Sequence, residues 1–206
     1  MGHNDVGAGA DRQGSEEIRA MTNKPFDVVL ADPPWKFEFW NEDTAELRGA
    51  VLHYPVMELD ALKRLDIESL VARDAALFMW GIWSHLPQVL ELIGAWGFEY
   101  RTLAFVWIKA KPSGFGFYQG MGYYTRRNTE PCLLGVRGSM PVQAHDVSEL
   151  IYAPVREHSR KPDQQYEKID RLYPEARKLE LFARRKQPGW STWGNEVEKD
   201  VDVGQR

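Results

Sequence analysis

The chain has 206 residues and an apolar fraction of 43%, which predicts one folded domain and excludes a disordered chain. No apolar run approaches the ~18–20 residues of a membrane span, and no signal peptide precedes the domain. Cys132 is the only cysteine, which excludes an internal disulfide and a cysteine-based zinc site. The net charge of −4 argues against binding nucleic acid by overall charge, although basic residues can act locally. We therefore expect a cytoplasmic protein without a metal ion or a membrane contact.

The first 23 residues differ in character from the rest of the chain. They are glycine-rich and polar without periodicity, which predicts a flexible leader over 1–23. Residues 24–206 contain no internal repeat and no low-complexity tract. We therefore predict a single domain over 24–206.

Apolar runs typical of strands alternate with apolar residues at helical spacing. In chain order, the sequence predicts a strand at 26–31, a helix at 57–72, a strand at 75–80, a helix at 86–96, a strand at 102–108, a long loop at 110–128, a strand at 131–136, irregular structure at 138–160, a helix at 161–172 and a strand at 178–182. This alternation predicts an α/β fold with a mostly parallel sheet flanked by helices.

The tetrapeptide Asp32-Pro33-Pro34-Trp35 directly follows the first predicted strand. Ligands of an open α/β sheet bind beyond the carboxyl ends of its strands, which is where this peptide lies. Its prolines have no N–H group, so the segment offers carbonyl acceptors and few donors. A residue before proline is held extended, which stiffens the segment. The alternative is a proline-rich turn in which Asp32 only caps the strand.

Such an acceptor cluster suits an aromatic amine. The Asp32 carboxylate and the Pro33 carbonyl can hold the two hydrogens of an –NH2 group and stabilise the positive charge that develops when its nitrogen attacks a methyl group. Trp35 offers a flat apolar face for a base. Trp190 and Trp193 also lie in turn-rich sequence, where tryptophan suits stacking on bases or cofactor rings, and the alternative is packing of loops onto the core.

Further motifs follow in order along the chain. They are His53-Tyr54-Pro55-Val56-Met57, Leu77-Phe78-Met79-Trp80, Trp107-Ile108-Lys109, Ser159-Arg160-Lys161-Pro162-Asp163, Lys178-Leu179-Glu180-Leu181-Phe182-Ala183-Arg184, and Gly189-Trp190 through Gly194-Asn195. Over residues 26–197 the sequence resembles the MT-A70-like family of adenine-N6 methyltransferases, which includes the catalytic subunit of the eukaryotic messenger-RNA adenosine methyltransferase and bacterial and phage relatives. The resemblance implies a Rossmann-like fold dependent on S-adenosyl-L-methionine, in which the catalytic tetrapeptide precedes the cofactor-binding strand.

The resemblance also implies roles for single residues. Asp32, Pro33, Pro34 and Trp35 form the catalytic motif. The implied cofactor contacts are Lys161 with the carboxylate, Asp32 with the ammonium group, Glu180 and Arg184 on the ribose side, and Asn195 with the ribose or adenine. Tyr54 lines the target-base pocket. Alternatively, Glu180 and Arg184 form an ordinary ion pair and Asn195 is a turn residue. The sequence departs from a usual nucleotide-binding loop, because no G-x-G follows the cofactor strand.

The loop at 110–128 combines glycine with basic and aromatic residues, which suits gripping a single strand or an extruded base. The candidates there are Tyr123, Tyr124, Arg126 and Arg127, together with Lys109, Lys111 and Tyr118. The alternative is a loop packed on its own domain. Further candidates for phosphate contacts are Arg156, Arg160, Arg184, Arg185 and Lys186.

The predicted function is methylation of the N6 amine of adenine in nucleic acid, with DNA favoured over RNA and single-stranded or unpaired substrates favoured over duplexes. The alternatives are the same reaction on RNA, a non-catalytic nucleic-acid-binding subunit of a methyltransferase complex, and methylation of protein amides. Enzymes of the last kind usually carry Asn and Tyr at the ends of the tetrapeptide, unlike Asp32 and Trp35 here. The sequence leaves open a homodimer or a heteromeric partner.

Overall fold

The computed structural model describes residues 25–35, 56–122, 124–157 and 160–206, so the predicted leader at 1–23 lies outside it. Seven strands form one sheet: β1 (Phe26–Ala31), β2 (Val71–Trp80), β3 (Glu99–Ala110), β4 (Thr129–Arg137), β5 (Leu150–Pro154), β6 (Lys178–Leu181) and β7 (Trp190–Trp193). The helices in these ranges are α1 (Leu59–Lys63), α2 (Leu86–Ala95) and α3 (Gln164–Leu172), and a 3-10 turn at Trp83–His85 precedes α2. None of these helices is long and apolar enough to cross a membrane.

The sheet has the strand order β5-β3-β4-β2-β1-β6-β7. β1 pairs in parallel with β2 and β6, β6 with β7, and β3 with β5, which confirms the predicted mostly parallel sheet. β4 is antiparallel to both of its neighbours, β2 and β3. Because β4 runs the opposite way, its first residues lie at the carboxyl edge of the parallel strands, where Glu130 is opposite Trp107.

Both faces of the sheet are buried. On one face Val29 and Ala31 of β1 belong to a core that includes residues of α1 and α2. On the other face Val28 and Leu30 belong to a core that includes Tyr166 of α3. Each such apolar side chain contributes about 1.5–3 kcal/mol when it leaves water. β1 is therefore held from both faces and both edges, so the residue that follows it is placed with little freedom.

The helix predicted at 57–72 is much shorter than its leucine spacing suggested, because α1 ends at Lys63. Leu65 and Ile67 are buried although they lie outside the helix, so the spacing reports burial here rather than helical structure. Both the backbone N–H and the hydroxyl of Ser69 bond to Asp66, and such local bonds compete with a helix.

Two strands were not predicted. β5 lies in the segment read as irregular, and β7 lies in the segment read as turn-rich. Both are edge strands of four or five residues in which buried and more exposed positions alternate. β5 ends at Pro154, which an edge strand tolerates because no partner needs its N–H group. β7 has no continuous apolar run, because Ser191 and Thr192 separate its tryptophans, whereas the short apolar run of β5 ends at a proline.

Candidate active site

The tetrapeptide at the end of β1 is held by its own backbone. The Trp35 N–H donates to the Pro33 carbonyl over 2.9 Å, and the Met57 N–H donates to the Pro34 carbonyl over 2.9 Å. A carbonyl oxygen accepts two hydrogen bonds, so each proline keeps one acceptor position. The motif is therefore the rigid acceptor segment that its composition predicts, and the contact of Pro33 with an amine stays a prediction.

Trp35 fixes the same segment through its side chain. Its ring is 7% exposed, and its indole N–H donates over 3.3 Å to the carbonyl of Trp80 at the end of β2. The ring thus belongs mainly to the core. Its predicted packing against a base stays a prediction, for which only a small part of the ring surface is available.

A buried chain of alternating charges runs behind the motif, and we call Lys109, Glu130, Lys161 and Asp32 the buried ion chain. The Lys161 ammonium lies 2.9 and 2.7 Å from the two carboxylate oxygens of Asp32 and 3.5 Å from Oε2 of Glu130. Lys109 forms an ion pair with Oε1 of Glu130. Two cations and two carboxylates therefore balance each other, and Asp32 is the most exposed of the four side chains at 33%.

The ion chain keeps Lys161 and Glu130 charged. Burial alone disfavours the Lys161 ammonium, but the carboxylates of Asp32 and Glu130 outweigh it and raise the pKa of Lys161. Burial likewise disfavours the Glu130 carboxylate, but Lys161 and Lys109 outweigh it and lower the pKa of Glu130. Asp32 is consequently oriented by a permanent cation at the edge of the sheet.

Lys161 donates two hydrogen bonds to Asp32 and forms an ion pair with Glu130. It precedes α3 by three residues rather than starting the helix, so the predicted helix start was too early. Its contact with the cofactor carboxylate stays a prediction.

The roles of two members of the ion chain were not predicted from the sequence. Glu130 lies just before the strand predicted at 131–136 and was given no role, and only the antiparallel direction of β4 brings it beside Lys161. A carboxylate at the head of an otherwise apolar run was the available signal. Lys109 was assigned to the basic loop, but it lies in β3 with its side chain largely buried against Glu130. Its contact with nucleic acid stays a prediction.

A cleft of about 230 Å³ opens beside the ion chain at the carboxyl ends of β1 and β6. It brings together four of the five predicted cofactor residues: Asp32, Lys161, Glu180 and Arg184. Its full lining is four carboxylates (Asp32, Glu157, Glu180, Glu196), four cations (Arg160, Lys161, Arg184, Arg185), and Leu30, Trp80, Gln165, Tyr166 and Phe182. Such a lining suits a ligand that carries both signs of charge together with polar neutral groups.

Glu180 in β6 has the most strongly shifted pKa among the acids that line this cleft. Burial raises its pKa and Asp32 adds to the rise; the Tyr166 hydroxyl and Arg185 act the other way, and the resulting pKa is about 7. Tyr166 donates its hydroxyl to both carboxylate oxygens, over 3.0 and 3.1 Å. Arg184 lies 3.7 Å from Glu196. Near neutral pH, Glu180 can therefore either donate or accept a hydrogen bond at the cleft wall.

Comparison with known proteins decides the family. The MT-A70 family model matches residues 26–196. The chain belongs to the MT-A70 family. The resemblance drawn from the motifs is thereby confirmed.

Relatives of this MT-A70 chain fall into two size classes. The type II methyltransferase M.MunI of Mycoplasma sp is 32% identical, over 88% of this chain and 82% of the relative. The MT-A70-like N(6)-adenosine-methyltransferase of Arabidopsis thaliana is 33% identical, over 84% of this chain and 24% of the relative. The human N(6)-adenosine-methyltransferase catalytic subunit METTL3 is 33% identical, over 84% of this chain and 28% of the relative. The MT-A70 chain thus spans about a quarter of these two eukaryotic relatives.

The turn after β6 in this MT-A70 chain contains no G-x-G motif. Phe182 has φ 61°, a left-handed conformation that is strained for an aromatic residue, and its ring contacts Trp193 edge to face at 5.4 Å. A Cβ on Gly194 would lie 2.0 Å from the Ala183 carbonyl, so only glycine fits there. Asn195 follows Gly194, is exposed and precedes Glu196 of the cleft, and its contact with the cofactor stays a prediction.

The structure of the MT-A70 chain places Trp190 and Trp193 but only some of the predicted substrate-binding residues. Trp190 and Trp193 lie in β7 rather than in a loop, and Trp190 is buried. Tyr54 and Tyr123 lie outside the described residues. Tyr124 is fully exposed.

The loop after β3 is anchored at its base and exposed at its tip. The Arg127 backbone forms two hydrogen bonds with Gly120, over 2.7 and 3.1 Å, while the Arg126 side chain faces solvent. Tyr152 of β5 contacts the loop through the ring of Phe117 at 6.2 Å. The roles of Tyr124, Arg126 and Arg127 in binding nucleic acid stay predictions.

Proposed function

We propose that this MT-A70 chain transfers the methyl group of S-adenosyl-L-methionine to the N6 amine of adenine in a nucleic acid, with DNA as the favoured polymer. The observation that carries the proposal is the Asp32 carboxylate at the end of β1, oriented by Lys161 at the edge of a cleft of mixed charge. The two eukaryotic relatives named as N(6)-adenosine-methyltransferases support the choice of the amine.

The cleft residues fit this cofactor. A zwitterionic amino acid part needs a carboxylate for its ammonium group and a cation for its carboxylate, and the cleft supplies Asp32 and Lys161 for these contacts. Ribose hydroxyls need acceptors and donors, which Glu180 and Arg184 provide. When bound, the cofactor supplies an electrophilic methyl group on a positively charged sulfur.

The residues of the chain prepare the amine. The nitrogen lone pair of adenine is delocalised into the ring, so the free amine is a weak nucleophile. Asp32 and the spare acceptor position of Pro33 hold its two hydrogens and favour a tetrahedral nitrogen with its lone pair directed into the cleft. The carboxylate then stabilises the positive charge that develops on the nitrogen. The proton that the amine must release is already hydrogen-bonded to an acceptor.

DNA is favoured because the chain matches the Mycoplasma type II methyltransferase over most of both proteins. RNA is the second candidate, since the eukaryotic relatives are named for adenosine. Unpaired substrates are favoured because their adenine can enter the cleft without the cost of opening a duplex, which amounts to about a few kcal/mol.

Nucleoside mass spectrometry tests the proposal directly. The chain is incubated with S-adenosyl-L-methionine and matched single-stranded DNA, duplex DNA or RNA of the same sequence. We expect N6-methyladenine, formed fastest in single-stranded DNA and absent with the Asp32→Asn variant. Faster methylation of duplex DNA contradicts the strand preference, and faster methylation of RNA contradicts the choice of polymer. No product in any substrate together with no cofactor binding favours the non-catalytic alternative.

A further inference from the structure

Three arginines converge on one carboxylate at the mouth of the cleft. Asp163, just before α3, lies 2.8 Å from Nη1 of Arg156 and 3.3 Å from Nη2 of Arg160, and it also contacts Nη2 of Arg185. We call Arg156, Arg160 and Arg185 the arginine cluster. Its members come from two separate segments, one before α3 and one after β6.

The arginine cluster has more charge and more donors than Asp163 can satisfy. Three guanidinium groups carry fifteen N–H donors at five each, against about four acceptor positions on a carboxylate. Arg156 uses one further donor on the Lys161 carbonyl. Among the contacts of the described residues, the buried Nε of Arg160 has no acceptor. The donors of the arginine cluster therefore outnumber the acceptor positions of Asp163.

Two arginines of the cluster lie at the cleft. The side chains of Arg160 and Arg185 are 36% and 40% exposed, and both line the cleft that Asp32 also lines. The Arg185 guanidinium lies 5.7 Å from the centre of the Tyr166 ring, which restricts its orientation. Glu157 and Glu196 also line the cleft, and Arg184 lies close to Glu196. The excess positive charge is thus local to the arginine cluster.

We infer that the arginine cluster binds a phosphodiester group of the nucleic-acid strand whose adenine enters the cleft. Guanidinium groups bind phosphate oxygens through paired hydrogen bonds, which fits several part-exposed arginines around one point. This inference rests on the proposed function for the identity of the strand. A phosphodiester group and the cofactor carboxylate are both oxyanions that guanidinium groups bind, and the experiment separates these two ligands.

The test compares the double variant Arg160→Gln/Arg185→Gln with the unchanged chain in binding a fluorescent single-stranded oligodeoxynucleotide over a salt series. Each phosphate contact contributes roughly 0.7 to the slope of log K against log salt, so we expect the slope to fall by roughly 1.4. Affinity at low salt falls roughly tenfold or more, while the affinity for S-adenosyl-L-methionine stays within about twofold. The matched control is Arg101→Gln, at the opposite edge of the sheet, which leaves the slope unchanged.

The variant Arg160→Lys/Arg185→Lys is the control for a folding defect. It keeps both positive charges, so it should keep most of the slope of log K against log salt. Loss of cofactor affinity with an unchanged slope overturns the inference and assigns the cluster to the cofactor carboxylate. No change in either binding reaction overturns it and leaves the cluster a structural role. Because the assay needs no turnover, a reduced slope in a chain that forms no methyladenine supports the phosphate site and rejects the proposed function.

Discussion

The buried ion chain and the arginine cluster are neighbours in sequence, joined by Arg160 and Lys161, but they differ in charge balance and burial. The ion chain pairs two cations with two carboxylates, and the side chain of Lys161 is only 10% exposed. The arginine cluster sets three cations against one carboxylate, and the side chain of Asp163 is 47% exposed. Burial requires balanced charges, because an unpaired buried charge is strongly destabilising, whereas an exposed excess is tolerated.

The difference separates two tasks within one site. The ion chain is built from the ends of strands and the segment before α3, so it can hold Asp32 at a fixed position. The arginine cluster lies on connecting segments, and its members Arg160 and Arg185 line the cleft. Four substitutions test this division.

The largest effect is expected from Asp32→Asn. The variant keeps the shape of the side chain but loses the charge that stabilises the developing cation, so we expect methyl transfer to fall by about 100-fold or more. Single-turnover formation of methyladenine at saturating cofactor measures it, with thermal unfolding as the control for folding. Activity above about a tenth of the unchanged chain contradicts a direct role for Asp32.

Glu130→Gln breaks the balance of the ion chain. It leaves Lys109 and Lys161 with only Asp32 as a carboxylate partner, and removing one partner of a buried pair costs about 3 kcal/mol or more of unfolding free energy. Urea unfolding measures the loss. The double variant Glu130→Gln/Lys109→Met restores the balance and should recover part of the stability. Equal losses in both variants would falsify the idea that charge balance sets the cost.

Glu180 lies between the two regions, since its pKa responds to both Asp32 and Arg185. Its pKa is about 7 in the folded chain against an ordinary value of 4.5, so from pH 5 to 7 the folded chain keeps a proton that the unfolded chain releases. Stability therefore falls as pH rises through this range. Glu180→Gln has no proton to lose, and its unfolding free energy relative to the unchanged chain should rise by about 2 kcal/mol from pH 5 to pH 8. A difference independent of pH contradicts the raised pKa.

The smallest effect on stability is expected from Asp163→Asn. Half-exposed ion pairs contribute about 0–1 kcal/mol, so the variant should unfold within about 1 kcal/mol of the unchanged chain. It also releases three arginines from their shared carboxylate, so binding of a single-stranded oligodeoxynucleotide should strengthen and its salt slope should steepen. A loss of stability as large as that of Glu130→Gln would remove the distinction between the two regions.

Local pattern was enough to predict most of the central elements. Apolar runs identified β1 and the core of β2, β3 and β4, and helical spacing identified α2, because these signals lie within a few neighbouring residues. The Asp-Pro-Pro-Trp motif stood out for the same reason. β7 was missed because two polar residues separate its tryptophans, and β5 because its run of four apolar residues is short and ends at Pro154.

Contacts between residues that are distant in sequence could not be predicted from local pattern. The position of Glu130 beside Lys161 depends on the direction of β4, which is set by its partners β2 and β3 rather than by its own residues. The meeting of Arg156 and Arg185 at Asp163 depends on how α3 packs beside β6. The chemical groups of the site are therefore recognisable in the sequence, but the ion chain and the arginine cluster that they form are not.

The position of β1 between β2 and β6 has a consequence for biosynthesis. β1 can pair with β2 once Val71–Trp80 has left the ribosome, but its other edge stays open until Lys178–Leu181 has been made. An open apolar strand edge invites pairing with other chains, and contacts between distant segments form slowly. The nascent chain is therefore most prone to aggregation over this long interval. Asp32 is synthesised before Lys161 and Glu180, so the cleft that these three residues line is complete only after both have been made.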